Sequence, residues 1–226
     1  MSARNRKLAI VQAALPLFAR KGFAETTTKE LAKAAGVSEP LLYKHFPSKE
    51  ALYLEIQNFS SKGLDPAAQK LGELEPSAST LVHLVYYLLR ALILGRPAGS
   101  INWDTRHRLM LKSFLEDGSY ARLLYQNRFE CFCSRIAGCL DAAIASGAVV
   151  KSPVSNSNRA RFAYHVGAGI ASVRLPQKPA IDYRVEPEDL LNQAVWFALR
   201  GMGMTDEAIR SYYNPKALAL FFRGSI

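Results

Sequence analysis

Apolar residues recur at three- and four-residue spacing along nearly the whole chain, and no convincing stretch alternates apolar with polar residues between turn signals. That periodicity excludes a sheet-based fold and predicts an all-α protein. Glycine and proline breaks at Lys21-Gly22, Ala35-Gly36, His45-Phe46-Pro47, Lys62–Pro66, Gly95–Gly99, Gly147–Pro153 and Leu175–Pro179 divide the helices. They leave three short helical units before residue 62 and five or six longer ones after it. The weakest joint, Ser60–Pro66, predicts a small N-terminal unit, residues 1–62, followed by a larger helical bundle, residues 63–226. Hydrophobic residues make up 49% of the 226 and charged residues 21%, enough to bury a sizeable core.

Charge narrows the partner. The formal net charge is +10, and residues 1–62 hold 10 basic against 5 acidic residues, a far higher density than in the remainder. Such an excess suits a polyanion, either nucleic acid or an anionic membrane surface. The longest apolar run, Leu81–Leu94, contains His83 and Arg90 and is shorter than the ~20 residues that cross a bilayer, so no membrane span is expected. Leu8–Ala19 has the outline of a signal peptide, but Gln12 and Pro16 interrupt it and Arg20-Lys21 follow it. Three cysteines do not make a disulfide scaffold, which points to a reducing, cytoplasmic compartment.

The most informative stretch runs from Thr26 to Phe46. Thr27 and Glu30 have the spacing of a capping box, in which each side chain satisfies an N–H that the helix start leaves free. Gly36 stands where a helix must stop on a left-handed residue, Ser38 caps the next helix, and Pro40 lies in that helix's first turn. Leu42 and Phe46 face inward, while Glu39, Leu41, Tyr43, Lys44 and His45 face out. A short glycine turn between two helices, the second polar and aromatic, is the helix-turn-helix arrangement that sets its second helix in the major groove.

At these residues the chain resembles the tetracycline-repressor (TetR) family of transcriptional regulators. The resemblance begins at Ile10-Val11-Gln12-Ala13-Ala14, Leu17-Phe18 and Lys21-Gly22-Phe23. It continues through Leu31-Ala32, Ala35-Gly36-Val37-Ser38, Leu42-Tyr43-Lys44-His45-Phe46 and Pro47–Leu52, covering about residues 4–59. It implies that Thr28, Lys29, Tyr43, His45 and Lys49 contact phosphates, with Lys29 also within reach of a base edge. It further implies that Glu39, Pro40, Leu41 and Lys44 meet base edges, where Lys44 can donate to guanine and Glu39 accept from cytosine. Two residues depart from the family pattern. Leu41 replaces a residue that is more often small or hydroxylated, and Pro16 interrupts the first helix, where it should cause a kink.

Residues 63–226 show no catalytic constellation, so no enzyme, metal or cofactor is expected. Cys131 and Cys133 sit in a helical pattern, where residues two apart point to nearly opposite sides. The region is rich in aromatic residues with polar ones among them: His83, Tyr86, Tyr87 and Arg90, then Trp103, His107, Met110 and Phe114, then Tyr125 and Phe129. The four, three, four spacing of Trp103, His107, Met110 and Phe114 places them on one helix face. They suit either a core stripe or the wall of a mostly apolar ligand pocket; the resemblance implies the latter, with a small-molecule effector. It also implies a homodimer. A self-complementary surface is expected on helices near 157–173 and 187–202, from Gly167, Gly169 and Ala171 and from the stripe Leu190, Leu191, Ala194, Ala198 and Leu199. The leading expectation is a repressor released from a palindromic double-stranded DNA operator by its effector. The alternative is a basic helical protein that binds nucleic acid without sequence preference, associated with RNA or the nucleoid.

Overall fold

Polar caps start most of the helices. In the computed structural model, the side chains of Ser2, Thr27, Ser38, Ser77, Ser155 and Thr205 each accept a backbone N–H from the first turn of the helix that follows. The backbone is described for residues 2–61, 66–95 and 103–223, and side chains for 2–56, 69–95, 104–126 and 129–222. The helices, in chain order, are α1 Ala3–Lys21, α2 Thr28–Ala34, α3 Glu39–His45, α4 Lys49–Ser61, α5 Pro66–Glu73, α6 Ala78–Ile93 and α7 Trp103–Leu115. There follow α8 Ser119–Leu124, a π turn Tyr125–Phe129, α9 Glu130–Ala145, α10 Asn156–Arg174, α11 Pro187–Gly201, α12 Asp206–Tyr212 and α13 Pro215–Arg223. Among the described residues the sole β pairing is one antiparallel bridge of Val149 with Met204, and turns and loops join the helices. The fold is all-α, as the periodicity predicts.

Two compact units form: Met1–Lys62 with Ala98–Phe129, and Gly63–Pro97 with Glu130–Ile226. The break near Lys62 that composition marks is therefore one of several. α7 packs on α1 and α8 packs on α4, so a later segment joins the N-terminal helices. Such a return is set by non-local packing and leaves no trace at the boundary itself.

In the first unit, Ile10, Ala14, Phe18, Leu31, Leu42, Phe46, Leu52 and Ile56 are buried together with Leu109, Met110 and Tyr120. α1 runs through Pro16 without a break. Lys7 ties α1 to α4 through Glu55 at 3.2 Å.

The second unit is built around α6, which buries Leu81, Val82, Leu84, Val85, Leu88, Leu89 and Leu92 and receives α9, α10 and α11, then α12 and α13. The long apolar run is thus an interior helix, and among the described residues no helix is long and apolar enough to cross a membrane. α10 comes so close to α6 that a Cβ on Gly167 would lie 2.7 Å from Leu89 Cδ2 and from Leu92 Cδ1. The buried Arg159 guanidinium donates to the carbonyls of Met202 at 3.0 Å, Val154 at 3.2 Å and Val150 at 3.4 Å, which joins the start of α10 to the end of α11.

Candidate nucleic-acid interface

α2 and α3 are seven residues each, too short to persist alone, and a side chain caps the start of each. The capping box forms: Glu30 accepts the Thr27 N–H at 3.1 Å and Thr27 accepts the Glu30 N–H at 3.3 Å. Lys21 also pairs with Glu30. That pairing first, and the Thr27 bonds second, hold the Glu30 carboxyl down to about 2. Gly36 turns the chain with φ +63°, and Ser38 then caps α3. Leu42 and Phe46 bury the inner side of α3.

The outer side is where the expected DNA contacts lie. Lys29, Pro40, Tyr43 and Lys44 are exposed, and Thr28, Glu39, Leu41 and His45 are half-buried. Thr28 Oγ1 donates to Glu39 Oε2 at 3.1 Å, so the first residues of α2 and α3 are joined. The pair brings a residue expected at phosphate and one expected at a base edge into one small cluster. Lys49 has a different setting. Its ammonium donates to the carbonyls of Phe23 at 2.9 Å and Thr26 at 3.1 Å and lies 4.3 Å from the centre of the Phe23 ring. It braces the turn between α1 and α2, and at most one of its three N–H groups remains for a phosphate.

The expected effector residues fall into both units. On α6, Tyr86 is buried with its ring 5.7 Å from Phe222, Tyr87 lies between Phe132 and Phe222, and His83 meets Phe221 edge-on at 5.2 Å. These rings pack on α13 or α9 of their own unit, and Arg90 is half-buried on the same helix. On α7, His107 and Met110 are interior, but Phe114 is 54% exposed, so the shared face does not persist to the helix end. Burial pushes the His107 imidazole below its ordinary value, with Asp104 acting in the opposite sense. Tyr125 and Phe129 face each other at 5.0 Å across the π turn, and the Trp103 side chain lies outside the described residues. A shallow groove of about 560 Å³ in the second unit, lined by Val150, Phe197, Arg200 and Asp206 among others, includes none of the expected effector residues.

The expected dimer surface needs correction. Leu190, Leu191, Ala194, Ala198 and Leu199 are all buried within their own chain, as are Gly167 and Ala171; Gly169 alone of the set is exposed. The apolar stripe points inward because α10 and α11 cover α6. What remains at the surface is a second apolar set: Phe162 on α10 at 55% exposure, and Trp196 and Phe197 on α11 at 36% and 66%. Because Arg159 bonds to Met202, the start of α10 lies beside the end of α11, which sets Phe162 and Phe197 at about the same level.

The cysteines follow the helical reading: Cys131 is exposed and Cys133 buried. Among the described residues no three His, Cys, Asp or Glu side chains cluster as metal ligands would. Sequence reasoning missed Phe23, Thr26 and Glu116. Glu116 accepts the Phe23 N–H from 93 residues away, a separation that no local pattern records.

Comparison with known proteins agrees with this geometry. The profile described as "Bacterial regulatory proteins, tetR family" matches residues 10–56. The nucleoid occlusion factor SlmA of Aliivibrio fischeri is 34% identical over 110 residues, 48% of this chain and 56% of that protein, so the chain spans about half of that relative's length. The crystal structure of AibR with isovaleryl coenzyme A and operator DNA superposes with a TM-score of 0.63 at 18% identity, over 85% of this chain and 97% of the other. Bacillus subtilis FadR, in complex with stearoyl-CoA, does so with a TM-score of 0.59 at 15% identity, over 86% and 98%. Residues 10–56 thus match the family of tetR bacterial regulatory proteins, and the fold of the chain as a whole is the one these solved structures share.

Proposed function

We propose that the chain is a transcriptional repressor that binds a palindromic DNA operator as a homodimer and is released by a small-molecule effector. The observation that carries this reading is the exposed face of α3, with Pro40, Tyr43 and Lys44 outward, fixed against α2 by the Thr28–Glu39 bond. Thr28, Lys29, Tyr43 and His45 take the phosphate contacts. Glu39, Pro40, Leu41 and Lys44 take the base edges. Lys49 serves first as a brace for the turn and only second as a phosphate contact. The dimer forms through the outer faces of α10 and α11, around Phe162, Trp196 and Phe197.

Competition binding tests the reading. A repressor prefers one palindromic site by roughly 10³-fold or more over random duplex at fixed salt, and the DNA beside its own gene supplies the first sites to try. The net charge of +10 favours a second reading, a basic helical protein that binds nucleic acid without sequence preference. An excess near unity would favour that one. Coenzyme A thioesters are the first effectors to assay, because two neighbours of the same fold were crystallised with them.

A further inference from the structure

We propose that Glu116 is a positioning residue for the DNA-reading helices, holding the turn between α1 and α2 through the Phe23 N–H. Its two carboxylate oxygens stand 3.0 and 3.3 Å from that nitrogen. Gly22 makes room for it, since a Cβ there would lie 2.1 Å from Glu116 Oε1, and Gly22 also takes a φ of +86° that side chains rarely adopt. Glu116 directly follows the last residue of α7, an end where the helix dipole disfavours a negative charge. The amide bond compensates for that placement.

The turn that Glu116 grips is tied on every side. The Phe23 ring lies 6.0 Å from Phe18 and 4.9 Å from Tyr53, and its carbonyl accepts from Lys49. Thr26, buried, donates to the Gly22 carbonyl at 2.7 Å, and its own carbonyl accepts from Lys49 as well. The next residue, Thr27, is the cap of α2, and Thr28 reaches Glu39 at the start of α3. One continuous set of bonds therefore runs from the end of α7 through the turn to the first residues of both helices. A head fixed in this way loses less conformational freedom on binding, and releasing the turn moves that loss to the moment of DNA contact.

The inference rests on α2 and α3 being the DNA-reading helices, so the experiment has one arm with DNA and one without. In the full chain, Glu116→Ala removes the acceptor, Glu116→Asp withdraws it by one methylene, and Glu116→Gln keeps an acceptor without the charge. Hydrogen exchange at the Phe23 amide and operator affinity at fixed salt are measured for each. Glu116→Ala should speed exchange at Phe23 and weaken operator binding roughly tenfold, the scale of one hydrogen bond to a charged group. Glu116→Asp should fall between, and Glu116→Gln should restore most of both. If Glu116→Ala fails to fold, Glu116→Asp carries the test. The proposal is overturned if a folded Ala or Asp variant binds operator as the wild type does, or if the Gln variant loses as much as Ala. A wild-type chain that prefers no duplex overturns the regulator reading instead, and the exchange arm then reports separately on the Glu116–Phe23 bond.

Discussion

Glu30 is where the N-terminal unit answers most directly to acid. Its folded carboxyl lies near 2, well below the ordinary 4.5, chiefly because Lys21 pairs with it and then because Thr27 bonds to it. A carboxylate held down in the folded state contributes stability above its unfolded value, and that contribution disappears as pH falls through the folded one. Glu30→Gln keeps a capping-box acceptor but removes the charge that Lys21 meets. Its thermal midpoint should therefore lie below the wild type's at pH 7, and the two should converge between pH 4.5 and 2. Parallel curves across that range would show that the ion pair contributes nothing. Residues of this kind were legible beforehand: Thr27, Glu30, Gly36, Ser38 and Pro40 act over three or four positions, and the spacing of their types states their duty. Lys49 was legible as a charge but not as a brace, because its carbonyl partners are 26 and 23 residues away and carbonyls carry no residue signature.

Between elements, the sequence says which helix faces are apolar but not what each one faces. The stripe on α11 was readable as a stripe. Its direction, inward onto α6, became visible only once α6, α10 and α11 were placed together. The small residues of α10 show the same limit. Gly167 permits close approach, as its type suggests, but to α6 of the same chain. That contact makes a local prediction. Gly167→Ala drives a methyl against Leu89 and Leu92 and should destabilise by about 1–3 kcal/mol, the usual cost of overpacking. Gly138, inside α9, has nothing within 4 Å of its missing Cβ. Gly138→Ala should instead stabilise by up to ~1 kcal/mol through helix propensity alone. Urea denaturation of both variants checks the pair, and equal effects at the two sites would contradict the close packing of α10 on α6.

At the scale of the whole molecule, the proposed repressor must present two reading heads to successive turns of DNA, ~34–36 Å apart, which one chain cannot do. A second copy needs an apolar surface that the chain leaves open, and the outer faces of α10 and α11 supply one. Phe162 and Phe197 stand level with each other and mostly exposed, with Trp196 beside them, in a chain whose +10 charge otherwise favours separation. Aromatic side chains left this open on neighbouring helices are costly to keep in water and productive to bury across a two-fold axis. Sedimentation at micromolar concentration should give a mass near twice the 25.0 kDa of one chain. Phe197→Glu should then yield a monomer with an unchanged helical circular-dichroism spectrum, because the side chain it replaces touches little of its own subunit. Ala194→Arg should behave differently: Ala194 is interior, and a buried guanidinium without partners would unfold the chain before it separated any subunits. The contrast between the two variants separates an interface from a core. A Phe197→Glu chain that still sediments as a dimer would move the interface elsewhere, and a wild-type monomer would remove the basis for palindromic recognition altogether.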